Sequence, residues 1–155
     1  MKRQKVLCLA GLILILFLAG CKTKEEIPKK GPYLYYQNTD GTGLTMVEYT
    51  IKEEKAEDAI AAMLKKLAKN PGSVGMTSVI PKDVKVENTA LENGVLHLYM
   101  NRFYAQLDEV QEVLLRAALV QSLIQIDGVD AVDIYVDNKP LTTKSGKTVG
   151  LMNEN

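Results

Sequence analysis

A cysteine stands where a long apolar stretch of this sequence gives way to polar residues, and its thiol could be acylated, oxidised or used as a nucleophile. Residues 6–19 carry no charge, follow a basic segment at residues 2–5, and lead through Gly20 to Cys21. A helix of this length rises about 21 Å, which is too short to cross a hydrocarbon core of about 30 Å. A basic segment, an apolar segment and small residues in this order predict a secretory signal peptide over residues 1–20.

The residues around Cys21 resemble the lipobox of bacterial lipoproteins, in which a leucine and two small residues precede a lipidated cysteine. The resemblance implies that Cys21 becomes the mature amino terminus and carries acyl chains. The mature chain would then be anchored to the outer face of the cytoplasmic membrane. In the alternative, the segment stays as an uncleaved anchor and Cys21 is an ordinary thiol, which the short apolar length disfavours.

The remaining cysteine and the charge balance disfavour a disulfide-bonded domain and a nucleic-acid-binding protein. Cys8 lies within the segment to be removed, so the exported domain would hold no free thiol and form no disulfide. The chain has 19 basic and 19 acidic residues, and three of the basic residues leave with the signal peptide. The mildly acidic remainder predicts no nucleic-acid partner, because nucleic acids select for a basic face.

His97 is the sole histidine of the sequence, so any Ser-His-Asp or Cys-His arrangement must use it. It stands between Leu96 and Leu98 in a predicted strand, where a packed or surface histidine is the simpler interpretation. One histidine and no thiol also disfavour a transition-metal site. We therefore expect no catalytic residue, metal or cofactor.

A pair of carboxylates alone could hydrolyse cell-wall glycans. The clustered acids are expected to be solvated charges at a helix end and along a strand: Asp127, Asp130, Asp133 and Asp137. The segment "NTDGTG" has one acid, Asp40, and predicts a hairpin turn rather than a calcium loop. The segment "SGKT" at residues 145–148 lacks the first glycine of a phosphate-binding loop and predicts a loop.

Tyrosines occur mostly in the predicted strands. A tyrosine buries a large area yet keeps a polar group, which suits it to interfaces. We therefore predict a partner surface on an aromatic sheet face, with these candidate residues: Tyr33, Tyr35, Tyr99 and Tyr135.

These residues are positioned by a regular series of elements. Residues 21–32 are charged and contain proline and glycine, which predicts a flexible tether. Residues 33–155 are long enough for one domain. The patterns predict strands at 33–37, 44–51, 84–91, 95–100 and 131–136, helices within 53–72 and 108–126, and a short element after residue 138.

Local signals support several boundaries of these elements. Asn93-Gly94 predicts a tight hairpin, and Asp108 predicts the N-cap of the second helix. On that helix, Val110 and Val113 are expected on the apolar side. The order ββαββαβ(β) predicts an α+β fold with a mixed or mainly antiparallel sheet and both helices on one face.

Five segments resemble the sporulation and spore germination domain called GerMN: "LYYQNTDGTGLTMVEYTI", "MLKKLAKNP", "SVIPKDVKV", "ENGVLHLYMN" and "LVQSLIQIDGVDAVDIYVDNKPL". Three positions depart from the family pattern. Residues 98–101 replace a common valine-aspartate-leucine-serine stretch, Ser122 replaces a threonine, and Asn138 replaces a glycine. The resemblance implies a single non-enzymatic, extracytoplasmic domain of a lipoprotein.

The leading hypothesis is therefore a lipid-anchored interaction or assembly module in sporulation, germination or envelope maintenance. It would contact the membrane through acylated Cys21 and bind a protein partner, with self-association as a further option. An alternative is binding of a small molecule or cell-wall fragment, which requires a concave pocket. A cell-wall hydrolase is the third hypothesis.

Overall fold

The computed structural model describes residues 31–153, so Cys21 and the predicted signal peptide lie outside the described residues. The elements in chain order are β1 (Tyr33–Asn38), β2 (Leu44–Glu48), α1 (Ala56–Leu67), β3 (Met76–Thr77), β4 (Val86–Glu92), β5 (Val95–Met100), a 3-10 helix (Arg102–Gln106), α2 (Glu109–Leu123), β6 (Ala131–Val136) and β7 (Lys139–Pro140). Two helices and a set of strands confirm the predicted α+β class. Within the described range, no helix has the length and apolar character needed to span a membrane.

The strands form two sheets rather than the single sheet expected. One has the order β2-β1-β3 and is antiparallel, and the other has the order β4-β5-β6-β7. The backbone N–H groups of Tyr33 and Tyr35 donate to the Gln125 side chain at 2.9 Å and to the Ser122 hydroxyl at 3.1 Å. Side chains from α2 and the residues after it thus occupy part of an edge of β1 where another strand would otherwise pair.

The four-stranded sheet is mixed, as predicted. β5 pairs antiparallel with β4 and parallel with β6. A parallel pair needs a long crossover connection, and the 3-10 helix and α2 provide it. This crossover places the side chains of β5 and β6 in register along the whole length of both strands.

Tight turns close the hairpins at predicted positions. Asn93 and Gly94 have φ values of 50° and 81°, and Asp137 and Asn138 have φ values of 52° and 58°. Two consecutive residues with positive φ are typical of the type I′ turn, whose twist matches that of paired strands. Asn138 thus adopts the left-handed conformation that the family's glycine would favour.

Within residues 31–153, one hydrophobic core joins both sheets and both helices. α1 contributes Ile60, Met63 and Leu67, while α2 contributes a face with Leu115, Leu119 and Leu123. The expectation for the start of α2 was wrong, since Val110 and Val113 are 58% and 45% exposed. Only the part of α2 beyond its first turns contributes fully buried residues.

Candidate functional site on the outer face of the four-stranded sheet

The alternation of β5 and β6 separates core side chains from outward ones. Leu96, Leu98 and Ile134 are fully buried, whereas the intervening side chains are partly exposed. Parallel register places His97 beside Asp133 and Tyr99 beside Tyr135. Because successive side chains of a strand point to opposite faces, these four residues form one cluster on the outer face. We call it the outer-face cluster.

Tyr99 and Tyr135 stack on one another. Their ring centroids are 5.1 Å apart and their planes are inclined by 21°. The His97 ring extends the aromatic surface, with its centroid 5.8 Å from that of Tyr135. Such rings present a large, rigid contact area that costs little conformational entropy to immobilise, which is a property of protein interfaces.

Charge in the cluster comes from Asp133. Its Oδ2 lies 3.6 Å from Nδ1 of His97, beyond hydrogen-bond distance, and that Nδ1 has no hydrogen-bond partner among the described residues. Hydrogen bonding to the Asp133 carboxylate and its negative charge raise the pKa of the Tyr135 hydroxyl. The hydroxyl proton is thus directed at Asp133, and the hydroxyl oxygen is left to accept a hydrogen bond from a partner. His97 thus packs on the outward side of β5 beside Tyr135 and Asp133.

The four tyrosines predicted as a partner surface do not converge. The structure brings Tyr99 and Tyr135 together, but it places Tyr33 and Tyr35 on β1 of the other sheet. Tyr35 contributes to a shallow depression with Leu44, Met46 and Gln121. Sequence reasoning placed all four on strands, but it could not tell which strands share a sheet.

Sequence reasoning missed a concave site beside the 3-10 helix. A cavity of about 500 Å³ is lined in part by Tyr104, Glu112 and Arg116. The Tyr104 hydroxyl donates to Glu112 at 3.1 Å, and Arg116 Nε donates to the same oxygen at 2.8 Å. The i,i+4 spacing of Glu112 and Arg116 was the available signal in the sequence.

The loops that resembled ligand motifs are turns. In the first, the Asp40 carboxylate accepts hydrogen bonds from the Thr42 N–H and hydroxyl, which lower the pKa of Asp40. In the second, Thr143 and Lys147 bond across a turn, and no helix follows within the described chain. Nor do the described residues include a group of three or more His, Cys, Asp or Glu side chains placed to hold a metal ion.

Comparison with known proteins supports the resemblance seen in the sequence. Residues 33–142 match the model of the family described as Germane, sporulation and spore germination. That range includes the outer-face cluster. No curated protein matches the chain.

Solved structures show the same fold. The tandem GerMN domains of the sporulation protein GerM from Bacillus subtilis give a TM-score of 0.55 at 16% identity, over 76% of this chain and 43% of that chain. The first GerMN domain of that protein gives 0.54 at 15% identity, over 77% and 95%. A candidate lipoprotein from Clostridium perfringens gives 0.53 at 16% identity, over 79% and 86%. This chain thus spans less than half of the tandem-domain chain.

Proposed function

We propose that this chain, which belongs to the Germane family of sporulation and spore germination proteins, is a lipid-anchored module. Its activity would be to bind protein partners outside the cell membrane. Its setting would be sporulation, germination or envelope maintenance. Binding, rather than catalysis, is the activity that the outer-face cluster favours.

The stacked pair of Tyr99 and Tyr135 is the observation that carries this proposal. The two rings lie 5.1 Å apart on the outward side of a sheet whose other side is the core. Interfaces are enriched in tyrosine, and their strongest contacts come from a few such residues. The neutral Tyr135 hydroxyl and the Asp133 carboxylate add polar groups that would orient a partner.

The anchoring part of the proposal rests on the residues around Cys21, with support from the similarity to a candidate lipoprotein. A Cys21→Ala variant should leave the membrane fraction and lose function at normal protein levels. Cys8→Ala is the matched control, because it removes a thiol from the predicted signal peptide without touching the acylated position. Membrane retention of Cys21→Ala with full function would contradict lipid anchoring.

Photo-crosslinking in cells tests the docking part. A photoreactive phenylalanine derivative at position 135 should crosslink to a defined protein, and the yield should fall when Tyr99 is replaced by serine. The same group at the exposed Glu57 of α1 is the control. Equal crosslinking to the same protein from both positions would show that the outer-face cluster does not select the partner.

Binding of a small molecule or cell-wall fragment is a second candidate function. The cavity beside Tyr104, Glu112 and Arg116 favours it, because polar side chains converge on a concave site. An Arg116→Gln variant should then lose retention on purified cell wall while Tyr135→Ser keeps it. The opposite pattern would favour protein docking at the outer-face cluster.

A further inference from the structure

A groove of about 710 Å³ lies between the carboxyl end of α1 and the segment that leads into β4. Three lysines line it: Lys65 from α1, with Lys82 and Lys85 from the segment before β4. Its accessible apolar surface comes from Ala68, Pro81 and Val86. We call these six residues the lysine groove; it lies apart from the outer-face cluster.

The lining of the lysine groove carries positive charge. All three lysines are exposed, and none of them takes part in an ion pair within the described part of the chain. No carboxylate is among the lining residues; Asp83, although adjacent in sequence, is not one of them. In a chain with equal numbers of acidic and basic residues, three converging lysines create a local positive potential that attracts an anionic ligand.

We propose that the lysine groove binds an acidic segment of a partner protein, with carboxylates at the lysines and an apolar side chain against Pro81 and Val86. The apolar surface between the lysines is what selects this ligand. A polyol phosphate polymer has charge but no side chain for that surface, whereas a peptide can alternate acidic and apolar side chains. This site does not depend on the outer-face cluster or on Cys21.

The test is a binding titration with the full-length chain purified in a nonionic detergent. The probe is a fluorescein-labelled octapeptide of alternating glutamate and valine, followed by fluorescence anisotropy. Replacing Lys65, Lys82 and Lys85 together by glutamine should weaken binding about tenfold, because each exposed ion pair contributes only modestly. Added salt should weaken it as well.

A matched control removes the same charge elsewhere. Lys52→Gln, Lys55→Gln and Lys147→Gln in one chain should leave the affinity unchanged, since these exposed lysines lie outside the groove and outside the cavity beside Tyr104. Lys82→Glu alone should weaken binding and serves as a second, single-site variant. An octapeptide of alternating lysine and valine should not bind.

Several results would overturn the proposal. Equal loss of binding in both triple variants would show a general charge effect. Binding of phosphatidylglycerol vesicles or inorganic polyphosphate that requires the three lysines, without binding of the acidic peptide, would assign the groove to a lipid or phosphate ligand. Self-association in sedimentation experiments that is lost in the groove variant would make a second copy of this chain the occupant.

Discussion

The hydroxyl of Ser122 connects a helix to a strand. It is fully buried in α2 and accepts a hydrogen bond from the Tyr35 N–H at 3.1 Å. Close by, the Gln125 side chain accepts from the Tyr33 N–H and donates to the Tyr33 carbonyl at 2.8 Å. These contacts satisfy backbone groups of β1 that no neighbouring strand reaches, and buried backbone groups need such partners.

Removal of the Ser122 hydroxyl should therefore destabilise the folded protein. We expect Ser122→Ala to lower the free energy of unfolding by about 1–3 kcal/mol, because the hydrogen bond from the Tyr35 N–H to this buried hydroxyl would be lost. Chemical denaturation measures this change. Ser73→Ala, at an exposed loop position, is the control and should be nearly neutral. A neutral Ser122→Ala would show that the hydrogen bond adds nothing to stability.

Tyr104 is a buried tyrosine with an acidic acceptor. Its side chain is 1% exposed, and its hydroxyl donates to Glu112. Burial, followed by the negative charge of Glu112, strongly raises the pKa of this hydroxyl. The folded protein thus binds the Tyr104 proton more tightly than the unfolded chain does. The resulting stabilisation is present below the unfolded pKa of about 10 and decreases as the pH rises above it.

The pH dependence of unfolding should report this tyrosine. Between about pH 9 and about pH 11, the free energy of unfolding of the unaltered chain should fall more steeply than that of Tyr104→Phe. At neutral pH the variant should lose about 1 kcal/mol through the missing hydrogen bond. Tyr99→Phe, which keeps its ring, is the control. Parallel curves for the unaltered chain and Tyr104→Phe would contradict the assignment.

At the scale of elements, the two helices begin differently. The Asp108 carboxylate accepts a hydrogen bond from the Gln111 N–H at 2.8 Å, which confirms the predicted N-cap of α2. Lys55 occupies the N-cap position of α1 and makes no side-chain hydrogen bond there. A lysine at this position also places positive charge at the positive end of the helix dipole.

Substitutions at these two N-cap positions should change the free energy of unfolding in opposite directions. Asp108→Ala should lower the free energy of unfolding by about 1 kcal/mol, because a backbone N–H loses its acceptor. Lys55→Ser should raise it by about 0.5–1 kcal/mol, because serine can supply the missing acceptor. Thermal and chemical unfolding measure both. A destabilised Lys55→Ser chain would indicate that the lysine has a contact which the cap geometry does not account for.

The features of the fold that could be predicted are the local ones. The Asn93-Gly94 turn and the Asp108 cap depend on residues adjacent in sequence, so their residue types were sufficient. The division into two sheets involves contacts between residues far apart in the chain, such as that of Ser122 with Tyr35. The two-residue strand β3 is too short for any alternation to indicate it.

For the candidate site too, the sequence predicts local structure but not contacts between residues far apart in the chain. Placing Tyr99 and Tyr135 on strands required only their local patterns, but their contact requires the parallel register of β5 and β6. The lysine groove is less accessible to sequence reasoning, because Lys65 on α1 joins Lys82 and Lys85 only after folding. Exposure of Val110 on α2 likewise depends on which face of the helix meets β1 and β6.

At the scale of the whole molecule, the proposed anchor limits where a partner can be met. Residues 21–32 would span at most about 40 Å when fully extended. The outer-face cluster and the lysine groove are separate surfaces around the hydrophobic core of residues 31–153. A membrane-anchored chain of this kind could bind two partners, or two parts of one partner, close to the membrane.

The most direct measurement of the central claim is spore formation and germination in cells that carry Tyr99→Ser with Tyr135→Ser. Loss of the stacked rings should cost about 1 kcal/mol of stability, which thermal unfolding of the purified chain checks. The control variant, Val74→Ser with Leu151→Ser, removes exposed apolar surface elsewhere. The account predicts a defect as severe as gene deletion for the tyrosine variant and none for the control. Normal sporulation and germination in the tyrosine variant, beside a clear defect on deletion, would contradict it.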